Sequence, residues 1–343
     1  MRKLNNTLYV TSPERYLALE GEAVVVLEKD EKIGRFPLHN LEGIVTFGYT
    51  GASPALMNAC AQRQISLSFL SRSGRFLAGV HGPVRGNVLL RKQQYRLSDT
   101  KEDCVAYARA FLTGKLYNAR WVVERTLRDY AMRVDSARLK AASGALWNSL
   151  RALETAAAME TLRGVEGEAA AQYFAVFDEM ILQQKDTFFF DGRVKRPPTD
   201  NVNALLSFVY VLLSREVAAA LETVGLDPYV GFLHTDRPGR ASLAMDLMEE
   251  LRAPLADRFA LGLINTRQVK DRGFVREESG AVRMTDEQRK GILAVWQKRK
   301  QEIITHPYLG EKVEWGLVPY AQAMLLARAI RGDIDGYPPF LWK

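Results

Sequence analysis

The chain has 343 residues, 47% hydrophobic and 25% charged, with a formal net charge of +7 and a pI of about 9.3. This composition is that of an ordinary globular protein, and the length suits two domains, each with its own core. No apolar run approaches the ~20 residues of a bilayer span. MRKLNNTLYV at the start has charge but no apolar h-region, and Cys60 and Cys104 are too far apart for a Cys-x-x-Cys pair, so a protein of the reducing cytoplasm without disulfides is expected.

The first hundred residues read as short strands, Thr7 to Val10, Tyr16 to Glu20, Ala23 to Glu28, Gly34 to Pro37 and Gly43 to Phe47, with Gly21-Glu22 and Lys29 to Lys32 as turns. Ser53 caps a short helix that has Pro54 in first position and ends at Arg63, and Ser66 to Leu70 and Arg75 to Val80 return to strand character. From Ser71 to Ser98 there is no acidic residue, while Arg72, Arg75, Arg85, Arg91, Lys92 and Arg96 fall in the window. That is either a phosphate-contacting surface or a solvated connector. His39 and His81 have no carboxylates at ligand spacing and read as ordinary surface or turn residues.

After Asp99 the period becomes helical. Helices are expected over Lys101 to Arg133 and Leu146 to Leu162, then through Gly164-Val-Glu-Gly167 into AAAQYFAVFDEMI. Two glycines flanking Glu166 each cost about 1 kcal/mol in a helix, which suggests a turn or a close backbone approach there. Lys185 to Asp200 is a loop whose tail carries Arg193, Lys195 and Arg196 ahead of two prolines; Asn201 to Val224 is apolar on more than one side and should be the buried central helix. Ala256 to Leu263 continues helical, Asn265 to Ser279 is a loop or hairpin, Asp286 to Thr305 is amphipathic with Lys298, Arg299 and Lys300 outward, and Val318 to Ile330 is the last helix before an irregular tail. The fold class is therefore α+β: a β-rich N-terminal roll or sandwich over 1–98 and a larger all-helical domain over 99–343.

The chemistry concentrates in GFLHTDRPGRASLAMDLMEELR, residues 231–252. An apolar run delivers His234 into a turn that Pro238 and Gly239 keep from being helical. A helix capped by Ser242 then places Asp246, Glu249 and Glu250 at i, i+3 and i+4, beside the stripe Leu243, Leu247 and Leu251. No P-loop, dinucleotide fingerprint, His-Glu-x-x-His or Gly-x-Ser-x-Gly is present. One imidazole with several carboxylates suits a hard divalent ion, Mg²⁺ or Mn²⁺, and such an ion on a basic protein points to phosphoryl transfer on nucleic acid. The plain alternative is a solvated acidic helix edge paired with Arg237 and Arg240, in a non-catalytic DNA-binding scaffold.

Gly-x-Glu-Gly with a following tyrosine, the long apolar helix after Asn203, Gly-Phe-Leu-His and Ser-Leu-x-x-Asp-Leu-x-Glu-x-x-Arg together resemble the CRISPR adaptation integrase family, over essentially the whole chain. The resemblance implies a metal-dependent endonuclease and integrase that inserts short duplex DNA at a repeat by 3′-hydroxyl attack on a phosphodiester. It places the metal ligands on Glu166, His234 and Glu249 and a supporting aspartate on Asp246; Glu168 competes with Glu166, which the following Gly167 favours. It also implies a homodimer, two of which are bridged by a small ferredoxin-like partner subunit. Arg193, Lys195, Arg196 and Arg237 are the expected phosphate contacts.

Overall fold

The computed structural model describes residues 6–71, 76–80, 88–194 and 197–343. The chain forms two compact units: Met1–Gly86 with Met284–Glu302 and Glu314–Leu317, and Asn87–Arg283 with Ile303–Val313 and Val318–Lys343. The expected division after residue 98 thus moves upstream by one helix, and two later stretches return to the first unit. Both corrections have one cause: membership follows tertiary contacts, which local periodicity does not register.

In the first unit, β1 (Asn6–Val10), β2 (Tyr16–Glu20), β3 (Ala23–Glu28), β4 (Glu31–Pro37), β5 (Leu41–Phe47), β6 (Ser66–Leu70) and β7 (Phe76–Val80) form two sheets, ordered β1-β5-β6-β7 and β2-β3-β4. The second sheet is antiparallel; Lys29 and Asp30, both at positive φ, make the two-residue turn between β3 and β4. β5 and β6 are parallel and joined through α1 (Pro54–Arg63). That helix starts as expected: the Ser53 Oγ accepts from Leu56 N at 3.2 Å, with Pro54 in the first turn. Leu56 and Cys60 on its inner face join Leu17, Val24, Ile44 and Leu67 in one core.

The second unit is helical: α2 (Val88–Asp99), α3 (Lys101–Tyr130), α4 (Ser136–Thr155), α5 (Met159–Ala175), α6 (Asn201–Val224), α7 (Ser242–Leu251) and α8 (Arg258–Asn265). α3 packs on α4, α5 and α7. The helical reading of Leu146 to Leu162 is broken at 156–158. α5, by contrast, runs unbroken through Gly164 and Gly167, and a methyl group on either would meet nothing within 4 Å. The close approach expected at these glycines does not occur among the described residues. α6 alone among the described residues is long and apolar enough to cross a membrane; here twelve of its residues are buried and it packs on α7 and the last helix.

The chain then returns to the first unit with α9 (Asp286–Gln301). Its Lys300, expected outward, is buried, and donates from Nζ to Glu42 Oε1 at 2.9 Å. Gln297 likewise donates to the Thr7 carbonyl at 2.6 Å. α10 (Val318–Arg331) closes the second unit, and the tail beyond it docks on that unit. Asn118 of α3 donates to the carbonyls of Glu250 and Phe340, both at 2.7 Å, and accepts from Trp342 N at 2.9 Å.

Candidate metal-binding active site

The site lies wholly in the helical unit and is built around Asp246. This aspartate is fully buried on α7, and burying a carboxylate demands donors. It has four: Oδ2 accepts from the backbone N–H of Phe232 at 2.7 Å and Leu233 at 3.0 Å, and Oδ1 accepts from His234 N at 3.0 Å and from His234 Nδ1 at 2.6 Å. A carboxylate only accepts, so Nδ1 carries a proton, which in the neutral ring leaves the lone pair on Nε2. Gly231 makes this embrace possible, since a Cβ there would sit 2.9 Å from Asp246 Oδ2 and 2.8 Å from Ser242 Cβ. The turn is braced from outside: Arg163 of α5 donates to the Leu233 carbonyl at 2.9 Å, and Tyr107 of α3 stacks on Phe232 at 4.5 Å.

Ser242 is the first residue of α7 rather than its cap; the cap is Ala241 and makes no side-chain bond. The Ser242 hydroxyl instead donates across the turn to the Thr235 carbonyl at 3.3 Å. One helical turn after Asp246, Glu249 is also buried, and its Oε1 lies 3.9 Å from His234 Nε2. Arg252 pairs with the same oxygen at 3.0 Å. Burial by itself would raise the Glu249 carboxyl; Arg252, Lys115 and His234 outweigh it and hold the pKa down at about 2. After Leu251 the helix widens into a π-helical segment, Arg252–Asp257, around Pro254, which has no N–H for the helical ladder.

Glu166 reaches the same place from α5. Lys115 of α3 joins it to Glu249: its ammonium donates to Glu166 Oε1 and stands 2.9 Å from Glu249 Oε2, an ion pair off the hydrogen-bond line. Three ligand candidates distant in sequence, Glu166, His234 and Glu249, therefore converge, though among the described residues no group of three metal-binding side chains stands preassembled around one empty point. The donor set fits a hard divalent ion: two carboxylates and one imidazole, with the two acids already drawing the Lys115 ammonium between them. Side-chain exposures of 31% for Glu166, 23% for His234 and 16% for Lys115, against 3% for Glu249, give the centre one open side. Glu166, Lys115 and Arg252 line a cleft of about 960 Å³ with Arg138, Arg193 and Tyr210.

Beneath the cleft, Asp257 accepts from Tyr210 OH at 2.6 Å and Tyr173 OH at 3.0 Å. Burial pushes its carboxyl up to about 6, against the two hydroxyls that favour the ion. Arg252 and Arg193 both lie over the Tyr210 ring, at 5.4 and 5.3 Å.

The other sequence expectations divide. Glu250 is not solvated: it is fully buried and accepts from Gln322, Tyr337 and the Phe340 backbone N–H, so it holds the tail rather than the site. Arg193 is clasped by Asn203 Oδ1 at 2.7 Å and Ser207 at 3.1 Å, though it still borders the cleft. Arg237 is exposed on the turn; among the described residues Arg240 donates to the Thr235 carbonyl and Ser242 rather than to an acid. Lys195 and Arg196, with Arg72, Arg75, His81 and Arg85, lie outside the described residues. Sequence reasoning missed Lys115, Arg163, Tyr210 and Asp257. For Lys115 a signal existed: Gly114 beside it is the single glycine of a 30-residue helix, and a Cβ there would come within 2.7 Å of Glu250 Cβ, which marks where α7 crosses α3.

The family profile described as CRISPR associated protein Cas1 matches residues 8–298. The chain is 50% identical to CRISPR-associated endonuclease Cas1 1 of Chlorobaculum tepidum over 344 residues, covering all of both chains. It is 36% identical to CRISPR-associated endonuclease Cas1 3 of Thermus thermophilus, over 97% of this chain and 96% of that one. Among solved structures, a casposase bound to integration product superposes with a TM-score of 0.84 at 21% identity, over 98% of this chain and 94% of that one. A Cas1 protein from Thermotoga maritima gives 0.82 at 21% identity, over 98% and 100%. The chain belongs to the Cas1 family of CRISPR-associated endonucleases. Its α+β fold, a β-rich part followed by helices, is that of these neighbours. A non-catalytic scaffold is not favoured.

Proposed function

We propose that the protein is a divalent-metal-dependent DNA endonuclease and integrase of CRISPR adaptation, with Glu166, His234 and Glu249 as ligands of Mg²⁺ or Mn²⁺ and Asp246 as the residue that positions His234. The observation that carries this is the fourfold hold of Asp246 on the 232–234 turn, which turns His234 Nε2 toward Glu249. A partner on the far ring nitrogen is what a metal-ligating histidine needs to fix its tautomer. When bound, the ion supplies Lewis-acid polarisation of a phosphodiester and charge neutralisation of the oxygens that attack and leave. The chain's own residues do the rest. Glu249, with its pKa near 2, is ionised at any working pH. Arg252 holds its second position through the Tyr210 ring and keeps Glu249 in place. The cleft admits a strand on the open side of Glu166, where Lys115 and Arg252 face it.

The reading extends to partners. The casposase neighbour is bound to its integration product, and another neighbour with a TM-score of 0.83 is a Cas6-RT-Cas1–Cas2 complex, of which this chain spans 36%. These neighbours support DNA and a further protein as partners. We further propose that the protein partner is a small ferredoxin-like subunit and that this chain acts as a homodimer. A duplex 3′ hydroxyl attacking repeat DNA gives strand transfer; water in its place gives endonuclease activity. Arg237, exposed beside the centre, is the phosphate contact best supported, with Lys195 and Arg196 as further contacts. The test is His234→Ala in an integration assay with partner subunit, duplex oligonucleotide and a repeat-bearing plasmid. Joining should be abolished with folding and DNA binding retained; joining at the wild-type rate would remove the site assignment.

A further inference from the structure

We propose that Lys115 is the resident counter-ion of the centre: it holds Glu166 and Glu249 together before a divalent ion enters, is displaced by that ion, and then takes a phosphate oxygen in the cleft. This rests on the metal reading above and deepens it.

The case is one of charge and geometry. Glu166 and Glu249 stand on different helices, and the Lys115 ammonium contacts an oxygen of each. Glu249 is buried with its other oxygen already taken by Arg252. Glu166 and Glu249 are matched by Lys115 and Arg252, so these two carboxylates are charge-balanced without a metal, while Asp246 is engaged with His234. A divalent ion ligated by the same two carboxylates cannot share them with an ammonium: the two cations would compete for the same oxygens and repel at contact distance. One of the two basic residues must yield. Arg252 is held by the Tyr210 ring and by its fixed place in the π-helical segment. Among the described residues Lys115 is held by these carboxylates, on a four-carbon stem with rotatable bonds. It also borders the cleft, whose lining includes Arg138, Arg193 and Arg252, so a freed ammonium joins a basic wall facing any strand that enters. Metal and DNA thereby become linked through one side chain. Each strengthens the other's binding, because each removes a competitor from the other, and linkage makes that reciprocal.

The experiment uses the full chain, Mn²⁺ alone as the first probe and a short duplex oligonucleotide as the second. The variants are Lys115→Met, Lys115→Gln and Lys115→Arg, each checked for fold by circular dichroism. By calorimetry, both neutral variants should bind Mn²⁺ at least about tenfold more tightly than wild type. Lys115→Arg, which keeps the counter-charge, should stay near wild type. In wild type Mn²⁺ should tighten oligonucleotide binding, and in Lys115→Met most of that gain should vanish. Equal or weaker Mn²⁺ binding by the neutral variants overturns the counter-ion role; an undiminished gain overturns the phosphate role. If neither wild type nor any variant binds Mn²⁺, the metal reading itself falls and this inference with it.

Discussion

At the residue scale, the weight of the site rests on Asp246, which satisfies three backbone donors and one ring nitrogen with two oxygens. Asp246→Asn replaces one acceptor by an NH₂ that faces N–H groups. Each buried donor so orphaned costs about 1–3 kcal/mol, and loss of a ligand's outer partner costs about 10–100-fold in metal affinity or activity. Denaturation and strand-transfer assays should therefore both register the change, whereas a purely solvated acid would move neither. Asp257 gives a pH signature. Its folded pKa of about 6 lies above the reference value of 3.8, so the stability linked to its protonation is present at low pH and lost as pH rises through about 6. Asp257→Asn, which cannot ionise, should gain on wild type by a few kcal/mol, on the order of 3, between pH 4 and pH 8. A pH-independent difference in urea denaturation contradicts this. His234, Asp246 and Glu249 were legible in the sequence because helical spacing and a proline-glycine turn are local. Lys115 was not, because its partners come from two other helices.

At the element scale, three glycines make opposite predictions. Gly114→Ala gains about 1 kcal/mol in helix propensity but drives a methyl to within 2.7 Å of Glu250 Cβ and 3.3 Å of Pro339 Cβ. Overpacking at about 1–3 kcal/mol outweighs the gain, so the melting temperature should fall. At Gly164 and Gly167 nothing stands within 4 Å, so alanine at each should stabilise by up to about 1 kcal/mol. A fall at all three positions would show that packing does not separate them. The same comparison explains what the sequence could and could not tell about helices. Glycine beside Glu166 signalled an interruption, yet one or two glycines do not break a helix that tertiary packing supports. The break at 156–158 carried no signal, since it falls in an alanine run that favours helix. Ser242 looked like a cap by type, but its hydroxyl is taken by the Thr235 carbonyl.

At the scale of the whole molecule, β-rich and helical parts were readable from the change in period near residue 99, because period 2 and period 3.6 are properties of each segment. The return of Met284–Glu302 to the first unit was not readable, nor was the docking of the tail through Glu250 and Asn118, since both are contacts between distant segments. The consequence for function is that every residue of the proposed centre lies within one unit, on α3, α5, α6, α7, the turn before α7 and the π-helical segment after it. The claim that this centre binds a divalent ion can be tested by locating the ion. Crystals of the wild-type chain with Mn²⁺ should show an anomalous peak at about 2.0–2.3 Å from oxygens of Glu166 and Glu249 and from His234 Nε2. A peak ligated by other residues, or none at these three when the same preparation is active with Mn²⁺, contradicts the account.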